Sequence, residues 1–311
     1  MYTNLFCSIL SQAAATGSFS VQLTSLNASA NVTLTLTATG NTVGMAPDDM
    51  SANAVPQMIT QLIQYTAAYD GAPALSQDTP AATWRVLFTD HVITFFSECQ
   101  FRLKLLSNDT GAEIVCTHEP LLVTLDDLTT YSNLMKLGAT LTTDEQILLI
   151  TTASGLITSY LNNLLVLAGY VKTETGFYQR SFWLNQGLPV QSWDSPRIAP
   201  PGTGIWYNWV ILMAWIRWNM NPETGELFYQ PNNNLLNNPE PSSLNYQFKC
   251  SYVSGELNLP SQVLLVMTML IKALVNDTNG LKSIKTGSFA ATFKDRTAIQ
   301  SALVLLDEYR L

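Results

Sequence analysis

Few side chains in this sequence are of the kinds that carry chemistry, and their spacing does not gather them. There are 2 histidines in 311 residues. His91 precedes an alternating, strand-like segment, and His118 opens His-Glu-Pro two residues after Cys116. Cys116, His118 and Glu119 would offer sulfur, nitrogen and oxygen to a metal ion. In a strand Cys116 and His118 share a face but Glu119 does not, and a third convergent ligand is missing. The cysteines Cys7, Cys99, Cys116 and Cys250 are widely and irregularly spaced, with no CxxC pair. They call for neither a zinc site nor disulfides, and Cys250 reads as a core residue on the apolar face of a strand. Asp48-Asp49 and Asp126-Asp127 are adjacent pairs in loop or cap positions, where they serve as turn and capping residues rather than as an acid–base couple. GxSxG, P-loop and HExxH motifs do not occur. The expectation is a protein that is not an enzyme, with no catalytic residue, no cofactor and no metal.

Six tryptophans (Trp183, Trp193, Trp206, Trp209, Trp215 and Trp218) crowd one stretch of the chain. Rings exposed in loops stack on sugars, so a secreted or surface β-rich carbohydrate-binding module is one reading. A β core and subunit interface rich in aromatics is the other, and it is preferred. Trp193 and Trp206 are the two whose exposure would decide. The module would need a signal peptide, disulfides or an aromatic platform. MYTNLFCSILSQAAATG has a short apolar segment but lacks a positively charged leader.

The bulk composition bears on partners. Hydrophobic residues make up 47% of the chain and charged residues 12%, against roughly 25% charged in ordinary soluble domains. A surface so poor in charge is best hidden against copies of itself or against partners. The net charge is −8 and no basic stripe exists, so the chain is not built to grip nucleic acid through phosphates. An acidic surface is compatible with a channel through which DNA slides. Uncharged apolar runs stop short of the ~18–20 residues of a membrane span, the best of them broken by Arg217 and Lys272, so no membrane partner is expected.

The elements that would position these residues follow from periodicity. Residues 1 to about 16 are expected to form a short helix. SFSVQLTSLNASANVTLTLTATG alternates as a hairpin, with Phe19, Val21 and Leu23 on one face and Val32, Leu34 and Leu36 on another. A helix is predicted over Val55–Tyr69 with Met58, Ile59, Leu62, Ile63 and Tyr65 on one stripe. WRVLFT, HVITFF, FRLKLLS and EIVCTH are strands, with a turn at Asn108–Gly111. Residues 1–120 thus form a β-rich domain of unknown role packed on one helix. Residues 121–140 are a linker helix capped by Asp126 or Asp127. Thr142 or Thr143 caps a long helix predicted to run to about Leu167, with Asp144 and Glu145 in its first turn.

From about 176 to 254 the chain is extended and turn-rich, with Asn221–Gly225 as a turn. WVILMAWIRW, apolar on both alternating sets, is expected to be buried on both sides. NNNLLNNPEP is expected to be a loop. Tyr246, Phe248, Cys250 and Tyr252 alternate with polar residues as in a half-buried strand, which Gly255 ends. Pro260 and Ser261 open a helix whose Val263, Val266, Met267, Leu270 and Leu274 form one stripe. After a turn over Asn276–Gly280, a short segment carries Gly287. A last helix buries Ile299, Ala302, Leu303 and Leu306.

This order has a likeness. A strand ending in Tyr-x-x-Gly, Leu-Pro opening an apolar helix, a glycine in a short segment and an amphipathic helix ending Leu-Leu-x-x-Tyr-Arg together resemble the head–tail connector (adaptor, or head-completion) proteins of tailed bacteriophages. LTTDEQILLITTASGLITSYL looks like that family's first helix, and FWLNQGLPVQSW like its short strand followed by Pro189-Val190. The likeness covers about residues 141–311. Pro189, Val190, Tyr252, Gly255, Pro260 and Gly287 are its fold-motif residues. It implies an α+β fold: a helical adaptor core at 141–311 with a β-hairpin or small sheet inserted at about 176–254. The insertion is longer and richer in tryptophan than the family's hairpin.

The resemblance also implies a structural virion protein in the neck, assembled in the host cytoplasm. It would be a homo-oligomeric ring, commonly of twelve copies, bound to the portal protein on one side and to the tail or next neck protein on the other. Genomic DNA would pass through without sequence-specific contact. The C-terminal end meets the portal in that family, which makes Asp307, Glu308, Tyr309, Arg310 and Leu311 the interface candidates, beside Lys294 and Arg296. The N-terminal domain would be an outward addition meeting capsid, whiskers or fibres.

Overall fold

The computed structural model describes residues 4–11, 18–26, 31–38, 45–47, 63–66, 77–78, 83–89, 91–98, 100–135, 141–162, 164–176, 181–184, 186–194, 196–199, 206–208, 216–231, 246–256, 258–277 and 296–310. Among the described residues, in chain order, ten strands come first: β1 (Asn4–Ile9), β2 (Ser18–Ser25), β3 (Asn31–Ala38), β4 (Met45–Pro47), β5 (Ile63–Thr66), β6 (Gln77–Asp78), β7 (Thr83–Thr89), β8 (Val92–Ser97), β9 (Phe101–Asn108) and β10 (Ile114–Thr117). Helices α1 (Leu125–Met135) and α2 (Thr143–Leu161) follow. Then come β11 (Ala168–Gly176), β12 (Ser181–Trp183), β13 (Val190–Trp193), β14 (Arg197–Ala199), β15 (Trp206–Asn208), β16 (Ile216–Asn221), β17 (Glu226–Pro231) and β18 (Tyr246–Ser254). The chain closes with α3 (Ser261–Asp277), α4 (Arg296–Leu303) and a 3-10 turn over Val304–Tyr309. The fold is mixed α+β.

The described strands form four small antiparallel sheets, in the orders β10-β1-β8-β7-β5, β4-β3-β2-β9, β11-β18-β14-β15-β6 (with β13 also on β18) and β12-β17-β16. The first sheet is buried on both faces, because alternate residues of β1 and β8 meet different neighbours. Trp84 of β7 packs edge-on against Phe101 of β9, with centroids 6.3 Å apart. On the other face Phe6, Leu10 and Val92 enter a core with Ile150, Ile157, Val263, Val266, Leu270, Ile299 and Leu306 from the helices. The linking segment lies in the seam: Leu121 N–H donates to Ser8 Oγ, Leu122 N–H to Ser154 Oγ, and Leu125 N–H to the Leu10 carbonyl.

Several local expectations change here. Asn4–Ile9 is a strand, not part of a helix. Its cross-strand partners on β8 and β10 bury residues on both faces, which outweighs a short stretch of local helix propensity. Ile63–Thr66 is likewise a strand, paired with β7, where a helix was expected. The α2 helix ends at Leu161 with Asn162 left-handed at φ 52°, six residues before Leu167, and Ala168 already begins a strand. At α1 the capping residue is Thr124: its Oγ accepts from Asp127 N–H at 3.1 Å, and Asp127 Oδ2 accepts from Thr124 N–H at 2.9 Å. Asp126 and Asp127 sit inside the first turn. β18 is not half-buried, since Ser251, Val253 and Ser254 are as enclosed as Cys250 and Tyr252. The α3 helix continues through Asn276 to Asp277. The segments 209–215 and 232–241, and Gly287, lie outside the described residues.

Other expectations stand. The hairpin itself forms, but it pairs Phe19 with Leu36, Val21 with Leu34 and Leu23 with Val32, which places both sets on one face rather than on two. Asn108 folds its turn by accepting from Thr110 N–H at 3.1 Å, and Gly111 takes φ +70°. Thr142 caps α2 with Glu145 in a reciprocal box, where Glu145 Oε2 accepts Thr142 N–H at 2.8 Å. Thr142→Ala removes one half of that box and is expected to lower stability by about 1 kcal/mol. Urea unfolding checks this, and an unchanged midpoint would mean that tertiary packing alone fixes the helix start.

Candidate assembly site

Pro189, Val190, Tyr252 and Gly255 converge on one knot, where the insertion returns to the helices. Gly255 N–H donates to the Pro189 carbonyl at 3.1 Å, and Val190 N–H to that of Pro222 at 3.0 Å. The Leu188–Pro189 peptide is cis. The Tyr252 hydroxyl, fully buried, accepts from Gln186 N–H at 3.0 Å and donates to the Gln186 carbonyl at 3.1 Å. Its ring stacks on Tyr170 at 5.5 Å, and burial pushes its phenol well above the ordinary tyrosine range. Glu256 N–H donates to Leu165 O at 2.9 Å, tying the end of the β18 segment to the chain leaving α2. Gly255 has φ +120°, and a Cβ there would lie 2.4 Å from the Val166 carbonyl oxygen. Pro260 stands one residue before α3, its carbonyl accepting from Val263 N–H at 2.9 Å.

Beside this knot opens a cleft of about 330 Å³ lined by Leu165, Leu188, Pro189, Glu223, Glu256, Glu308, Tyr309 and Arg310. The structure therefore sets Pro189 against three of the C-terminal interface candidates. Asp307 accepts a hydrogen bond from the Tyr160 hydroxyl of α2. The Arg310 guanidinium lies 5.2 Å from the centre of the Tyr160 ring. Tyr309 donates to Gln262 Oε1 of α3. Glu308 is exposed. Leu311, Lys294 and the Arg296 side chain lie outside the described residues. The C-terminal turn is docked on the chain's own helices, and the cleft beside it is lined by the carboxylates of Glu223, Glu256 and Glu308 and the guanidinium of Arg310 together with Leu165, Leu188 and Pro189. Such a mixed lining suits contact with another protein surface.

The residues that carry chemistry elsewhere are dispersed. His91 is buried and hydrogen-bonded, its Nε2 2.7 Å from the Leu121 carbonyl, so that nitrogen carries the proton. His118 and Glu119 are exposed, and the Glu119 carboxylate lies against Gly155 of α2. Cys116 faces Cys7 across two strands, with the sulfurs 3.1 Å apart. Among the described residues no three His, Cys, Asp or Glu side chains gather as a metal site would need. Asp48 and Asp49 are not among the described residues. Trp218 is buried, Trp193 packs against the same aromatic core, and Trp183 is 50% exposed. The side chains of Trp206, Trp209 and Trp215 are not described. Cys250 is enclosed in that core, and burial pushes its thiol up to about 12.

A charge network that sequence reading missed joins the first sheet to the insertion. Glu98, just after β8, takes Arg197 Nη2 at 2.9 Å and also receives Lys249 and Ser251. Arg85 pairs with Asp194, and Arg197 lies 3.7 Å from the same carboxylate. Burial alone would raise the Glu98 carboxyl, but Lys249 and Arg197 outweigh it and hold it down at about 2. A further bridge is neutral: Asn4 Nδ2 donates to Gly169 O at 2.8 Å and Asn4 Oδ1 accepts from Gly169 N–H at 2.9 Å.

No protein-family model matches this sequence, and no curated protein matches it. Among solved structures the chain is similar to one titled as the neck of an empty GTA particle computed with C6 symmetry. The match has a TM-score of 0.36 and 12% identity, over 59% of this chain and 88% of that one.

Proposed function

We propose that this chain is a non-enzymatic structural protein of a phage-like neck, forming a homo-oligomeric ring, of about twelve copies by family analogy, between the portal and the tail or next neck protein. Residues 141–311 are its adaptor domain, with the β insertion at about 176–254, and residues 1–120 are an outward addition. The ring surrounds the DNA exit channel without gripping the genome. The observation that carries this reading is the knot. The short strand with Pro189-Val190 and the Tyr252-x-x-Gly255 strand end resemble the connector family separately in sequence, and here they hydrogen-bond to each other beside the C-terminal turn.

A further feature supports it. Leu265 and Met269, one turn apart on α3, are 54% and 38% exposed, and Val304 and Leu305 are 55% and 47% exposed. Apolar side chains left on helices suit burial against a neighbouring copy. No helix among the described residues is long and apolar enough to cross a membrane.

Electron microscopy of the purified protein tests the class: rings with a central pore are expected, and a uniform monomer at assembly concentrations argues against it. A second test removes Asp307 to Leu311. Leu306, fully buried, stays, so the shortened protein should fold yet fail to join filled heads. Recovery of normal infectious particles would sink the portal-facing role of this end.

A further inference from the structure

We propose that Cys7 and Cys116 form a reversible intrachain disulfide, locking β10 to β1 when the protein passes from reducing to oxidising surroundings. They are direct partners in the antiparallel register. Opposed residues in such a pair have Cα atoms about 4.5–5.5 Å apart, inside the range a disulfide spans. The sulfurs are in contact at 3.1 Å, so bond formation requires no strand movement. Cys116 is half-buried on the edge strand, open to a small oxidant, whereas Cys7 is fully enclosed. The hydrogen bond between them draws the Cys116 thiol below its ordinary range, and the same bond together with burial raises that of Cys7. Cys116 is therefore the thiolate that reacts first.

The step needs a two-electron oxidant, taken here as a small disulfide. The Cys116 thiolate attacks one sulfur of oxidised glutathione, breaking its S–S bond and releasing one glutathione thiolate. Cys7 then attacks the Cys116 sulfur, and its proton passes to the departing sulfur, releasing the second glutathione as a thiol. Two protein thiols are oxidised and one small disulfide is reduced to two thiols. The closed loop takes in the chain between positions 109 apart, which includes β2 to β9.

The test incubates the native full-length protein with excess oxidised glutathione, quenches with acid, alkylates free thiols under denaturing conditions and maps peptides by mass. A parallel sample is kept in dithiothreitol. We expect a Cys7–Cys116 cross-linked peptide, an intact mass about 2 Da lower and a thermal midpoint raised by about 5 °C over the reduced protein. Cys116→Ser, at the half-exposed position, should abolish all three. The wild-type map decides even if a variant folds poorly. Alkylation of both cysteines after oxidation, a stable glutathione adduct on Cys116 with Cys7 free, or linkage to Cys99, to Cys250 or between chains would each overturn the proposal.

Discussion

Replacing Gly255 with valine is expected to destabilise the fold by roughly 3–5 kcal/mol, enough to leave much of the protein unfolded at growth temperature. Two independent costs meet at this residue. Its backbone sits at φ +120°, a region that side chains with a Cβ rarely enter. The added carbon would also lie 2.4 Å from the Val166 oxygen and 2.8 Å from its carbon. That obstacle is main chain and is held by the hydrogen bond from Glu256 N–H to Leu165 O, so it cannot rotate aside. Relief requires moving β18 away from the end of α2, which opens the Gly255–Pro189 bond as well. Gly255→Ala should show most of the loss. Thermal and urea unfolding measure it, and a valine variant of unchanged stability would refute the assignment of this knot as the joint of the fold.

The second large effect is expected at Glu98. Glu98→Gln removes the negative charge that Arg197 and Lys249 share, and leaving buried cations without it costs about 3–5 kcal/mol. The acid dependence follows from the lowered carboxyl. Glu98 titrates at about 2 in the folded chain and near the ordinary glutamate value of 4.5 when unfolded. Its contribution, about 3 kcal/mol from that difference, is fully present above pH ~4.5 and is lost as the pH falls through about 2. The stability gap between wild type and Glu98→Gln should therefore be flat above pH ~5 and narrow steadily below it. A gap that stayed constant down to acid pH would show that the carboxylate's charge does no stabilising work.

Much of the secondary structure was legible locally. The Thr142 cap, the apolar stripe of α3, the Asn108 turn and the alternation of the β2–β3 hairpin each depend on contacts within a few residues, which is the range over which helix and strand periodicity speaks. Where the reading failed, long-range pairing had decided. Asn4–Ile9 and Ile63–Thr66 become strands because β8, β10 and β7 offer them ladders from elsewhere in the chain. The α2 helix stops early because the chain at Val166 is taken up by a bridge to Glu256.

The candidate site divides the same way. In the sequence, Pro189, Val190, Tyr252 and Gly255 stand out through their likeness to the connector motifs, and Gly255 also through the strand that it ends, because strand-end chemistry is local. The sequence by itself also determined that histidines and cysteines are too few and scattered for a recognised catalytic motif. Only the tertiary structure decided that those motif residues close on one another and on the C-terminal turn. It alone paired Cys7 with Cys116, 109 positions apart, and gathered Arg85, Glu98, Asp194, Arg197 and Lys249. In sequence, Arg85 and Lys249 fall on the polar phase of alternating strands, which reads as solvent-facing. They are enclosed because a second sheet packs over that phase and supplies the carboxylates that make their burial tolerable.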